Sequence, residues 1–462
     1  MTPRTTLSMT AAVHAQLKDH LFPGDGKEAA AVLVCTRVPG ARLRLLVKDV
    51  VPVPHEACSR RTEHSLTWPG AYVERAIDLA EPGQHSLVLL HSHPNGFPSF
   101  SHTDDDSDRD VIPSIFEAFG DLHGSAVMLP NGRVFARLYE PSGAPRPVDL
   151  VSVAGHDLHF WWRDDAEAGM ARPMAFTSDM TCELGRLTAL VIGISGTGSP
   201  TAEQACRLGF AKVLGIDHDH VEVKNLNRIL NTSWADALAA RPKVEAFAER
   251  ANGCREEACF EGLSANVMTR AAVLAAARAD VIFCCVDSHR ARMVADRLAA
   301  AFLLPLFDVG VAIPTRETGA GLAIAEVVGR IDYVYPGGSS LLDRGVYTGA
   351  SLQAEALAEA DPRAHAEQVK AGYIQGHPEQ APAVIALNMR AASSCMMEFI
   401  ARAFPFRHDV NSKFARTRFM LAEAFEEFTA ESEFKARPSP LLALGAAEPL
   451  LLLPVLGPED DA

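Results

Sequence analysis

The chain has 462 residues, more than a single hydrophobic core usually organises, so two or three domains are expected. With 48% hydrophobic and 22% charged residues it has the balance of a soluble globular protein, and a net charge of −15 without a basic face argues against general nucleic-acid binding. Its most apolar tail, residues 440–456, is broken by Glu448, Pro449 and Pro454 and cannot span a membrane; the nine cysteines form no Cys-x₂-Cys pair and residues 1–22 lack a signal-peptide core, which together suggest a cytoplasmic protein with reduced thiols.

In chain order, residues 29–55 and 86–91 read as β-strands, carried by the apolar runs 31–34, 43–47 and 86–90. A helix is expected over 71–79, a second over 110–119, and strands return over 124–139. This mixed order predicts an α+β domain over residues 1–148, bounded by Pro141, Pro145 and Pro147, followed by a linker and lead-in segment over 149–185. From Leu187, strands 189–192, 213–216 and 281–285 alternate with helices 200–209, 265–278 and 289–301. That alternation predicts a doubly wound parallel sheet of Rossmann-like type over 186–404, with 405–462 as a C-terminal extension. The expected fold class is therefore α/β, an α+β domain followed by a doubly wound one.

The first domain carries His91-Ser92-His93-Pro94, followed by Ser101 and Asp104. Two histidines two apart on a strand point to the same face, so their imidazoles can converge on one metal ion. Pro94 ends the strand, and the loop through Gly96 and Pro98 can return the chain so that Asp104 supplies a third ligand. Three N/O ligands with an open position are the pattern of a catalytic zinc site. Asp105 and Asp106 read as solvated loop charges.

The spacing H-x-H-P-x₆-S-x₂-D resembles that of the JAMM (JAB/MPN-type) metalloproteases, isopeptidases that cleave ubiquitin-like tails. The resemblance implies Zn²⁺ on His91, His93 and Asp104. It makes Glu28, just before the first apolar run, the general base, and gives Ser101 the stabilisation of the oxyanion.

The second domain opens with Leu190-Val191-Ile192 running into Gly193-Ile194-Ser195-Gly196-Thr197-Gly198 and a helix. In such a loop Gly193, Gly196 and Gly198 let backbone approach phosphate at a helix N-terminus. Asp217, at the end of the next strand, is positioned for ribose hydroxyls. To this point a dehydrogenase remains open. The block from Asp217 to Arg228 then matches D-x-D-x-V-x-x-x-N-L-x-R and resembles the ubiquitin-activating-enzyme-like adenylyltransferases of the ThiF/MoeB superfamily, as do Arg241-Pro242-Lys243-Val244, the segment from Cys285 to Arg292, and Pro305-Leu306-Phe307-Asp308-Val309-Gly310.

That resemblance implies ATP and Mg²⁺ as cofactors. Asp217 would hold the ribose, Asn225, Arg228 and Lys243 the phosphates, and Asp287 the Mg²⁺, with Arg228 and Asp287 acting in catalysis. It further implies a crossover region over about 310–384 and a homodimer through the adenylation domain, with Arg172 reaching the partner's site and Arg186 as its competitor. The chain departs from the family in Ser195, in lacking a cysteine between Cys285 and Cys395, and in lacking both Cys-x-x-Cys pairs of a structural zinc. Cys395 reads as core in an apolar-periodic helix, while Ser339 and Ser340 occupy the place of the first zinc pair and are weak acyl-acceptor candidates. Taken together, the two resemblances imply a bifunctional enzyme of a bacterial ubiquitin-like pathway: a zinc (iso)peptidase joined to an ATP-dependent adenylyltransferase. Its partners would be a ubiquitin-like protein ending in glycine and a conjugating-enzyme-like protein, with no nucleic acid and no membrane. The alternatives are sulfur-carrier activation in biosynthesis, and a binding scaffold with a degenerate adenylation site.

Overall fold

The protein is described from a computed structural model covering residues 4–457 except 39, 41, 142–143, 164–175, 177, 320 and 371–383. Strands β1 (Thr5–Thr10), β2 (Ala30–Val38), β3 (Leu43–Pro52), β4 (Ser86–Ser92), β5 (His123–Met128), β6 (Val134–Tyr139), β7 (Arg146–Pro147), β8 (Leu150–Ala154) and β9 (Leu158–Trp162) form one sheet in the order β9-β8-β1-β3-β2-β4-β5-β6-β7. Helix α1 (Ala11–Leu21) covers one face, while α2 (Ala71–Ala80) and α3 (His102–Ala118) cover the other. Burial on both faces explains the unbroken apolar run of β2. Ala31, Leu33 and Cys35 pack toward α1, and Val32 and Val34 toward α2 and α3.

The expected linker begins with two strands of this sheet, and Ser178–Leu184 near its end is helical. β8 pairs in parallel with β1, and β9 turns back on β8. The apolar run of β8 covers a β1 edge that would otherwise be open, but β1 and α1 have no strong motif in sequence and were not expected. The helix expected over 110–119 begins eight residues earlier, at His102. Ser101 and Asp104 form a reciprocal capping box that draws the polar stretch 102–109 into the helix.

The second sheet comprises β10 (Thr188–Ile192), β11 (Lys212–Ile216), β12 (Phe260–Leu263), β13 (Val281–Cys284), β14 (Leu306–Ala312), β15 (Val328–Val334), β16 (Arg416–Met420) and β17 (Phe425–Thr429), in the order β12-β11-β10-β13-β14-β15-β16-β17. The first five of these neighbours run parallel, and the chain winds outward from β10 in both directions. Helices α4 (Gly198–Leu208), α5 (Lys243–Ala251) and α9 (Ile385–Ala403) cover one face; α6 (Arg270–Ala276) and α7 (His289–Phe302) cover the other. Helix α8 (Gly349–Ala360) lies in the expected crossover region, of which residues 371–383 are outside the described set. α6 is shorter than expected because Thr269 caps it, accepting from the Ala272 N–H. The expected C-terminal extension adds β16 and β17 to the sheet.

The two sheets are joined by buried polar bonds. The Arg42 guanidinium forks onto Asp280 at 3.0 and 2.6 Å, and Arg44 lies 3.5 Å from the same carboxylate. The segment after β17 bridges both halves: Ala443 and Gly445 donate to the α7 carbonyls of Ala300 and Ala301, while Ala446 N–H reaches Arg37 O and Thr36 Oγ1 donates to Ala443 O. No helix among the described residues is long and apolar enough to cross a membrane.

Two candidate active sites

The first site forms where β2 begins and β4 ends. Antiparallel pairing sets Ala30 opposite His91, which brings Glu28 to the same end as His91 and His93. Ser92 locks that register, its hydroxyl accepting from Ala29 N–H at 2.9 Å and its own N–H donating to Ala29 O at 3.0 Å. Beyond Pro94 the chain turns at Gly96, whose φ of +77° favours glycine. The first turn of α3 then delivers Asp104, with its oxygens 3.0 Å from His91 Nε2 and 3.4 Å from His93 Nε2. The two Nε2 atoms are 3.1 Å apart, and the ligand atoms of all three residues lie within 4.8 Å of one another.

This donor set fits a zinc ion. His93 Nδ1 lies 2.9 Å from Phe97 O, so an Nδ1–H donor there leaves Nε2 with its lone pair toward the cluster. Burial works against the Asp104 carboxylate, yet hydrogen bonds from both imidazoles hold it well below the usual carboxylate range. Burial also works against a charged His93, but Asp104 and Phe97 O raise it overall. Glu28 is only 8% exposed, and burial raises its carboxyl while the imidazoles oppose that. Its N–H donates to Thr62 O at 2.8 Å, tying it to the short ribbon of Arg60–Arg61 and Leu66–Thr67.

Ser101 is the N-cap of α3, its Oγ accepting from Asp104 N–H at 3.2 Å, and the O–H proton remains a donor. Asp105 and Asp106 lie on α3 rather than in a loop, and each pairs with an arginine: Asp105 with Arg137, Asp106 with Arg109. Ser92 and the Phe97 carbonyl are the supporting groups that motif spacing did not single out.

The second site lies at the carboxyl ends of β10, β11 and β13, where an open α/β sheet forms its ligand crevice. Gly193 has φ of +85°, and a Cβ on Gly198 would fall 1.6 Å from Gly193 O, so both positions exclude a side chain. Asp217 clamps this loop, accepting from Ile194 N–H at 2.7 Å and Asp219 N–H at 2.9 Å. Burial raises its carboxyl, and Lys243 opposes the rise. Lys243 itself is buried and donates to Asp219, the second aspartate of the D-x-D pair, at 2.7 Å.

The phosphate-directed candidates of the Asp217–Arg228 block are engaged with neighbouring protein groups. Asn225 is buried, and its Oδ1 accepts from Glu222 N–H in a tight turn. Arg228 donates to Lys224 O at 2.9 Å and Asn227 Oδ1 at 3.1 Å while lying against Gly196. Asp287 is exposed on the loop after β13, just ahead of the Ser288 cap of α7. One carboxylate beside a phosphate loop is how Mg²⁺ is usually held, so the position fits that ion. Arg290 pairs with Glu359, and Arg292 turns inward to Asp308 at 3.3 Å.

Arg172 lies outside the described residues, and its competitor Arg186 stacks on the Trp162 ring, 4.5 Å from its centroid. The two serines weighed as acyl acceptors are both engaged. Ser339 is buried and receives Arg344 Nε, while Ser340 is held by Asp343 in a turn. Cys395 is buried in α9, and burial pushes the neighbouring Cys285 thiol up to about 12.

Residues 170–394 match the ThiF family, and residues 10–139 match prokaryotic homologs of the JAB domain. Among curated proteins, ubiquitin-like modifier-activating enzyme 5 of Drosophila grimshawi is 26% identical over 159 residues, covering 32% of this chain and 36% of that protein. The Xenopus laevis protein of the same name is 30% identical over 118 residues, covering 23% of this chain and 29% of its own length. The chain thus spans about a third of these relatives. Among solved structures, E. coli MccB with ATP has a TM-score of 0.43 at 13% identity, covering 57% of this chain and 68% of that one. With one match on each sheet, the chain is a fusion of a JAB-type domain with a ThiF-family domain.

Proposed function

We propose that the chain is a bifunctional enzyme of a ubiquitin-like pathway. The JAB-type half cleaves after the C-terminal tail of a ubiquitin-like protein, and the ThiF half activates that protein's C-terminal carboxylate as an acyl-adenylate. The observation that carries this reading is the convergence of His91, His93 and Asp104 beside a buried Glu28. His91, His93 and Asp104 would hold a divalent ion, which would supply a water that ionises near neutral pH and would polarise the scissile carbonyl. Glu28, its carboxyl raised by burial, takes the proton and returns it to the leaving amine. The Ser101 O–H donates to the oxygen that gains charge.

In the ThiF half, the Gly193–Gly198 turn receives the phosphates of ATP, Asp217 meets the ribose, and Asp287 holds Mg²⁺. Lys243 and Arg228 offset charge as pyrophosphate departs, exchanging part of their present bonding to Asp219, Lys224 and Asn227 for phosphate oxygens. Cys285 and Cys395 are buried, and the acyl group passes to a nucleophile on a conjugating-enzyme-like partner, with AMP as the leaving group. A homodimer completes each nucleotide site.

The test is a paired assay on the full chain: zinc-dependent cleavage of a fusion to a glycine-terminated ubiquitin-like protein, and ATP–pyrophosphate exchange dependent on the freed protein. Cleavage without exchange would favour the second reading, a ThiF half that only binds. That reading draws on the existing partners of Lys243 and Arg228 and on Ser195 in the glycine loop.

A further inference from the structure

Helix α9 carries a polar side chain that no motif singled out. Asn388 lies one turn inside its N-terminus and is 2% exposed, yet its Oδ1 has no hydrogen-bond partner. A buried amide oxygen left unpaired is destabilising, and such groups in native proteins call for a reason. The other end of the same carboxamide lies against the glycine loop. A Cβ on Gly196 would fall 2.3 Å from Asn388 Nδ2 and 3.2 Å from Arg228 Cδ. Gly196 is therefore small for lack of room, with Asn388 on one side and Arg228 on the other. Two helix N-termini meet at this loop, α4 from Gly198 and α9 from Ile385, and neither has a side-chain N-cap bond. Both present the positive end of a helix dipole to the same place.

We propose that Asn388 is a binding residue of the nucleotide site, its carboxamide donating to a phosphoryl oxygen of a nucleoside triphosphate seated on the Gly193–Gly198 loop. Nδ2 is the end of the carboxamide that lies beside Gly196, so the donor already faces the loop and no turn of the side chain is required. The N–H₂ group can thus face the phosphate, and the anion site gains a neutral donor beside Arg228. The same contact makes Gly196 and Asn388 a matched pair, one small so that the other can reach the loop. This proposal rests on the adenylation reading above and extends it to α9, which follows the crossover region.

The test uses full-length Asn388→Leu, a near-isosteric apolar replacement, titrated with MgATP and with adenosine while apo-protein stability is followed in urea. The dissociation constant for MgATP should rise ~10-fold, about 1.4 kcal/mol. Adenosine affinity and apo-protein stability should be unchanged, or stability increased, because an unpaired polar atom has gone. Asn388→Ala, read in the same way, serves if leucine does not fit beside Gly196. Undiminished MgATP affinity overturns the proposal, as does a parallel loss for ATP and adenosine, which would mark a structural role. A wild-type protein that binds no MgATP overturns the adenylation reading itself, and a wild type that binds it as well as Asn388→Leu overturns only this proposal.

Discussion

The two candidate sites differ in how much of each is assembled before a ligand arrives. In the JAB-type half, two strand ends and one helix start bring His91, His93 and Asp104 into mutual hydrogen bonding, with the Phe97 carbonyl orienting His93. In the ThiF half, the cations are already engaged by protein oxygens, Lys243 by Asp219 and Arg228 by Lys224 and Asn227, while Asp287 stands exposed on its own loop. The difference fits the ligands proposed for each half. A metal ion needs a few atoms at short, fixed distances, which rigid elements can hold in advance. A triphosphate carries its own charge and its own Mg²⁺, so its cations can rest on other acceptors and be exchanged on binding.

The sharpest way to break this comparison is to remove the imidazoles. The double change His91→Ala/His93→Ala should abolish zinc binding by elemental analysis and lower cleavage by more than ~1000-fold, with ATP–pyrophosphate exchange intact. Full metal content would show that the cluster is not a metal site. Glu28→Gln should retain the metal yet lose cleavage by ~100- to 1000-fold, since it removes a base and not a ligand. In the ThiF half, Asp287→Ala should reduce exchange at least ~100-fold while cleavage is unaffected. Unaltered exchange would leave that half as a binding scaffold.

Two smaller effects concern stability, one between the halves and one within the ThiF half. Asp280→Ala leaves Arg42 and Arg44 buried without their carboxylate, and should cost about 3–5 kcal/mol in urea unfolding. An unchanged midpoint would mean that the halves are not held together through this ion pair. Asp296 on α7 accepts from Leu341 N–H, Leu342 N–H and Tyr347 O–H, and burial raises its carboxyl to about 6. Its native-state affinity for a proton exceeds that of the unfolded chain, where the value is about 3.9. Its contribution is therefore full below about pH 4 and is lost as pH rises through about 6. Asp296→Asn should flatten that decline, by about 3 kcal/mol at most, in stability measured across this range.

Spacing within one short segment was enough to read the core of both sites. The His91/His93/Asp104 set is local, and strand alternation alone predicts that the two imidazoles share a face. The glycine loop and the β-α alternation after Leu187 are local in the same sense, and the doubly wound order of β10 to β14 follows them. Less was legible where a residue's role depends on a partner distant in sequence. Residues 150–162 read as linker because nothing nearby shows that β1 needs a neighbour, and 416–429 read as an extension because β15 supplies their pairing edge. Lys243 could be identified as a cation, but not as one held by Asp219.

By itself, then, the sequence determined which groups are candidates at each site: two histidines and an aspartate at a spacing that strand alternation can bring together, and a glycine loop ahead of a helix. Only the tertiary structure decided which of those groups are free and which are engaged. Ser339 is enclosed by Arg344, Arg292 turns inward to Asp308, and Asn388 approaches Gly196 from 192 positions along the chain. Hydrogen bonds and close packing act through space, and a side chain's partners are set by where the sheets and helices bring it, not by its neighbours in sequence.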